Sequence, residues 1–134
     1  MADDNKEVLS DLGLLWLRVF MGAGIAYHGY GKVFGGNIAG FAQGVASLGF
    51  PFPEVFAWVA ALSEFVGGIL IALGLFTRPA ALFVFITMCV AVFMRHSDDP
   101  FKVKELALLY GTIAGALIMT GAGKISFDGL WNKE

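Results

Sequence analysis

Residues 79–94 read PAALFVFITMCVAVFM, sixteen positions with no charge and only Thr87 and Cys89 as polar interruptions. A helix of a water-soluble bundle keeps a polar face, and this stretch has none to offer. Three further runs resemble it: Leu12–Tyr27, Val55–Phe76 and Leu106–Ala122, of 16, 22 and 17 residues. A spanning helix needs about 20 residues, with about 17 the usual lower end. The shorter runs must therefore borrow flanking residues, whose Lys and Arg can snorkel to the interface. Four such helices in 134 residues leave too little polar surface for a particle dissolved in water. The predicted fold is all-α, an integral membrane four-helix bundle forming one transmembrane domain over residues 1–134. Its helices are expected at about 10–28, 54–76, 78–95 and 100–121.

Composition agrees. Hydrophobic residues make up 57% and charged residues 15%, against roughly 25% charged in ordinary soluble domains. Net charge is −2 and there is no basic stripe, so nucleic acid is excluded as a partner. The single cysteine, Cys89, allows no internal disulfide, and its apolar neighbours leave the thiol inert. The opening segment MADDNKEV is acidic, and Arg18 interrupts the first apolar run, so a retained helix is expected rather than a secretory signal.

The breaks have local causes. Asp98-Asp99-Pro100 offers a capping carboxylate followed by Pro at a first helical position, and Pro51 and Pro53 precede the second spanning helix. The Gly-rich connection from His28 to Pro53 contains Ile38, Phe41, Ala42, Val45 and Leu48 at helical spacing, with Asn37 placed to cap. This predicts a short amphipathic helix at about 37–48, lying in the interface or folded against the bundle. Gly22/Ala26, Gly68/Ala72 and Gly111/Gly115 are small-residue pairs four apart, suited to close helix contact in lipid.

Four crossings put both termini on one side. They group His28, Lys32, Arg95 and His96 at one end, and Arg78, Lys124 and Asp128 at the other. Lys6, Arg78, Lys124 and Lys133 balance Lys32, Arg95, Lys102 and Lys104, so the positive-inside rule returns a tie.

Arg18 and Glu64 are each the single charge within an apolar run, near its middle. A charge at that depth costs about 2.5–3.5 kcal/mol on insertion scales. Antiparallel neighbours could relieve that cost with an Arg18–Glu64 ion pair, serving either as a latch or as part of a substrate or proton path. His28 and His96 stand at helix exits on the same side. Facing imidazoles could ligate haem iron, bind or protonate a quinone, or simply hydrogen-bond to loops, their ordinary role. Lys32 would share the face of His28 if the helix continued, but Gly29 and Gly31 predict fraying there. Two His without a Cys partner or carboxylate pair fall short of a metal set. GAGKIS at 121–126 lacks phosphate-loop spacing and suits a helix C-terminus.

Together LRVFMG at 17–22, HGYGKVF at 28–34, GF at 40–41, LGFP at 48–51, EFVGG at 64–68, GLFTR at 74–78, His96 and GAGKISFD at 121–128 resemble the DoxX family over about residues 12–128. The resemblance implies a four-helix protein of prokaryotic cytoplasmic (inner) membranes, linked to quinone or redox chemistry. Arg18, His28, Gly29, Lys32, Glu64, Gly67, Gly68, Arg78, His96, Ser126 and Asp128 are the family-like positions. Of these Arg18, His28, Lys32, Glu64 and His96 are the expected ligand-binding residues, with a quinone the expected ligand. No flavin, haem or iron–sulfur motif is present, so electron transfer, as part of a quinone-linked oxidoreductase, would need a bound quinone or a partner. The expected partners are the bilayer and other membrane or redox subunits or a homo-oligomer. The competing functions are a structural or assembly subunit without its own ligand, and a small oligomeric transporter.

Overall fold

The first helix does not stop at His28. In a computed structural model describing residues 2–131, α1 runs over Ala2–Phe34, through Gly29 and Gly31. Asp3 and Asp4 in its first turn and Lys32 in its last oppose the helix dipole with the favourable signs. Lys133, counted above among the cations of the terminal side, lies outside the described residues. The other elements are α2 (Ile38–Ser47), α3 (Pro53–Leu73), α4 (Thr77–Val90, prolonged by a π-helical turn over Ala91–Arg95), α5 (Phe101–Thr120) and α6 (Phe127–Trp131). No strand occurs among the described residues. The spans Asp3–Phe34, Pro53–Leu73, Thr77–Arg95 and Phe101–Thr120 are long and apolar enough to cross a membrane.

Helix ends are satisfied differently from the local expectation. Asn37 occupies the N-cap position of α2, but its side chain makes no capping bond. Pro100, whose side chain has no acceptor, takes the N-cap position of α5, and the Asp99 carboxylate meets His96 Nδ1 at 2.7 Å. At α4 the cap comes from far along the chain. Phe76 and Thr77 donate their backbone N–H groups to the two carboxylate oxygens of Asp128, both at 2.9 Å. Gly121 ends α5 with a positive φ of 72°, donating its N–H to Leu117 O at 2.8 Å.

The helices pack in sequence, α1 on α3, α3 on α4 and α4 on α5, while α1 and α5 meet at few points. α2 lies against α3. Met21, Ile25, Ile71, Val84, Met88 and Leu117 form the shared core. Outside it, large apolar side chains such as Trp16, Phe93 and Met119 are 70%, 71% and 76% exposed, the surface of a protein solvated by lipid rather than water.

The α1–α3 contact is backbone against backbone. A Cβ on Gly22 would lie 2.5 Å from Gly68 O, and one on Gly68 would lie 2.6 Å from Ala26 N. Higher on α1, a Cβ on Gly29 would collide with the backbone of Phe65. Gly31, two residues on, has open space around it. Gly29→Ala is therefore expected to cost about 1–3 kcal/mol, as overpacking does. Gly31→Ala should leave stability unchanged or raise it by about 0.4–1 kcal/mol. Thermal unfolding of the two variants in detergent checks this; equal effects would contradict the packing.

Candidate functional site

The two lone charges do not meet. Arg18 is buried, 1% exposed, and donates from Nη1 to Ala122 O at 2.7 Å and from Nη2 to Ile125 O at 2.8 Å. Asp128 supplies the carboxylate whose field reaches it. The Arg18–Glu64 pair expected from the sequence is thus absent, and helix register is the reason. The run of contacts Gly22–Gly68 and Gly29–Phe65 places Arg18 opposite Gly74, at the far end of α3. At 1.5 Å per residue, Arg18 and the level of Glu64 on α1 are about 18 Å apart along the axis. Gly74 is left-handed, φ 70°, and a Cβ there would sit 2.5 Å from Arg18 Nη1. Only a glycine both turns the chain at that point and leaves room for the guanidinium.

Residues 121–126, read above as a helix terminus, thus form a clasp together with Phe127 and Asp128. Two of its carbonyls hold Arg18, and its aspartate caps α4. Lys124 donates to Glu7 at 3.0 Å, and that hydrogen bond holds the lysine above its ordinary pKa range. A cavity of about 400 Å³ at this end is lined by Arg78, Lys124 and Asp128 among others.

Glu64 finds a different partner. It is buried on α3, and Lys32 Nζ donates to its Oε2 at 2.6 Å. The pair exists because α1 continues past the glycines that predict fraying. The lysine side chain is 33% exposed and the glutamate 6%, so the pair links a buried carboxylate to the edge of the bundle. On its other side the ammonium stands 4.9 Å from the ring centroid of Phe41 on α2, a cation–π geometry.

Around this pair lies a second cavity, about 150 Å³, lined by Ile25, His28 and Lys32 of α1, Glu64 of α3, Met88 and Ala91 of α4, His96 after it, and Leu106, Ala107 and Tyr110 of α5. Four of the five residues singled out in the sequence line it, and Arg18 does not. The π-helical turn brings His96 there. Its N–H donates to Ala91 O at 2.9 Å across five residues, the wider turn that is frequent at functional sites. Tyr110 was not singled out. A lone tyrosine in an apolar helix carries no spacing signal, and its place beside His28, ring centroids 6.1 Å apart, depends on the meeting of α1 and α5.

The sequence profile described as DoxX matches residues 13–97. The chain belongs to the DoxX family. It is 33% identical over 130 residues to the inner membrane protein YqjF of Escherichia coli K12, covering 94% of this chain and 97% of that protein. It is 39% identical over 111 residues to the inner membrane protein YphA of the same organism, covering 75% and 76%. A Bacillus subtilis relative named "Putative oxidoreductase CatD" is 33% identical over 119 residues, covering 88% and 86%. No solved structure matches the chain. The DoxX match spans the five sequence-selected residues, whereas Tyr110 and the Arg18 clasp lie beyond it.

Double-mutant cycles separate the two arrangements of charge. Lys32 and Glu64 should couple by at least about 1 kcal/mol, and Arg18 and Glu64 should be additive within about 0.5 kcal/mol. Lys32→Met should be worse than Glu64→Leu, because it strands the buried carboxylate, at about 3–5 kcal/mol, whereas a stranded Lys32 can turn to water. Coupling between Arg18 and Glu64 in unfolding experiments would contradict the structure.

Proposed function

We propose that this DoxX protein is a redox-associated subunit of a prokaryotic inner membrane and that the 150 Å³ cavity receives the ring of a quinone. The carrying observation is the convergence of Lys32, Glu64, His28, His96 and Tyr110 on one cavity of that size. An enclosed apolar cavity of about 150 Å³ is known to admit benzene, so a space of this volume suits one six-membered ring. The name of the Bacillus subtilis relative, "Putative oxidoreductase CatD", supports the redox class.

The residues divide the work by position. Lys32 Nζ can donate to a carbonyl oxygen while keeping its bond to Glu64. Asp99 engages His96 Nδ1, which leaves Nε2 as the atom available to a ligand. Glu64, buried with the partly exposed Lys32 beside it, is placed to hold a proton and exchange it toward the bundle edge. A quinone, when bound, takes up two electrons and two protons; the protons would pass these groups and the electrons would come from a partner subunit. Arg18 belongs to the clasp and has no part in this site. Both termini lie on one side of the membrane in this reading.

The test is quinone content. Protein extracted gently and purified in lipid nanodiscs should retain or exchange a quinone. Glu64→Gln and His96→Ala should each lower quinone affinity by roughly tenfold, about 1.4 kcal/mol. The control Lys104→Gln, outside the cavity lining, should leave it unchanged. Native protein without any exchangeable quinone, or site variants that keep wild-type affinity, would favour a structural or assembly subunit instead.

A further inference from the structure

The walls of the 150 Å³ cavity are unequal. Between α1 and α3 the backbones touch through Gly22, Gly29 and Gly68. Between α4 and α5 the contact is also close, since a Cβ on Gly111 or Gly115 would come within 3.3 Å of Met88 or Phe85. Toward the helix ends, α2 roofs the polar residues. Phe41 lies over Lys32, and a Cβ on Gly44 would come into van der Waals range of the Arg95 guanidinium. The remaining wall, between α1 and α5, is thin. It is spanned by Tyr110, whose hydroxyl occupies the space a side chain on Gly24 would need and whose ring meets that of His28. The residues flanking this seam face outward: His28 is exposed and lines the cavity, and Leu106 is 48% exposed and lines it as well.

We propose that the cavity opens to the bilayer through the seam between α1 and α5, so that its ligand is an amphiphile drawn from lipid. This rests on the ring-binding reading above and adds the route and the rest of the ligand. The head lies among Lys32, Glu64 and His96, and an apolar chain leaves past Leu106 into the acyl region. The chemistry of the lining follows that direction. Lys32 and Glu64 pair beside Phe41 of α2, whereas Ile25, Met88, Leu106 and Ala107 present only carbon and sulfur. Tyr110 stands where head and chain divide, with its ring beside the seam and its hydroxyl packed on α1. It is the positioning residue of the route, setting how far the ring can enter.

Two probes separate the route from the site. One is a benzoquinone without an alkyl chain; the other is the same ring carrying a decyl chain with a photoactivatable diazirine. Both are titrated into the full-length protein in nanodiscs. The decyl compound should bind at least roughly tenfold more tightly at equal concentration in the bilayer, because its chain is gripped as well. On illumination, its chain should label α1 and α5 near Ile25 and Leu106. Leu106→Trp fills the seam from a half-exposed position and should weaken the decyl compound about tenfold while changing the chain-free ring less than about threefold. Leu109→Trp, exposed on the same helix but outside the lining, should change neither. Labels confined to α2 would overturn the route while leaving the ring site standing, as would a decyl affinity in Leu106→Trp unchanged from the native protein. Binding of neither compound to the native protein would overturn the site and the route together.

Discussion

The contact between α1 and α3 orders the rest of the molecule. In lipid, two apolar helices gain nothing from burying each other's hydrophobic surface, so association depends on dispersion and close fit. Gly22 and Gly68 let backbone oxygens and nitrogens approach where any Cβ would intrude, and Gly29 does the same beside Phe65. Such a contact also fixes register. Sliding α1 by one turn would drive Ala or larger residues into those positions, so the two helices have one axial alignment.

Once that alignment is set, the charges have no choice of partner. Arg18 lands opposite the end of α3, beyond reach of Glu64, and its two Nη atoms donate to the carbonyls of Ala122 and Ile125. Glu64 lands opposite the last turn of α1, where Lys32 meets it. The bundle thereby acquires two polar ends of different character. At one, a buried arginine ties residues 121–128 to α1 and a bridging aspartate ties them to the α3–α4 connection. At the other, an ion pair, two histidines and a tyrosine surround a space large enough for a ring. The names of the DoxX relatives, inner membrane proteins and a "Putative oxidoreductase", say nothing of either end of the bundle; the difference between its two ends is visible only in three dimensions.

Four of the candidate site residues were legible in the sequence because a charge or imidazole in an apolar run is costly and therefore conspicuous. Their partners were not legible. Locally, Asp99 before Pro100 reads as a cap, yet the imidazole of His96 three residues earlier takes its carboxylate. Asn37 reads as a cap and occupies that position without making the bond. The true cap of α4, Asp128, comes from 51 residues away, which no local pattern can announce. Gly29 and Gly31 read as helix breakers, since each costs about 1 kcal/mol relative to Ala. The packing of Gly29 on α3 compensates, so the helix runs on and carries Lys32 to Glu64.

The sequence by itself determined the all-helical class, the four apolar spans, the short amphipathic helix between the first two, and the small-residue faces that would touch. These follow from properties each segment carries alone: length, hydropathy and periodicity. Tertiary structure decided which charge pairs with which, where α1 ends, that a π-helical turn brings His96 to the cavity, and that Tyr110 completes it. Those outcomes depend on axial alignment between helices, and a shift of a few residues, worth little in hydropathy, moves a side chain by the whole length of an ion pair.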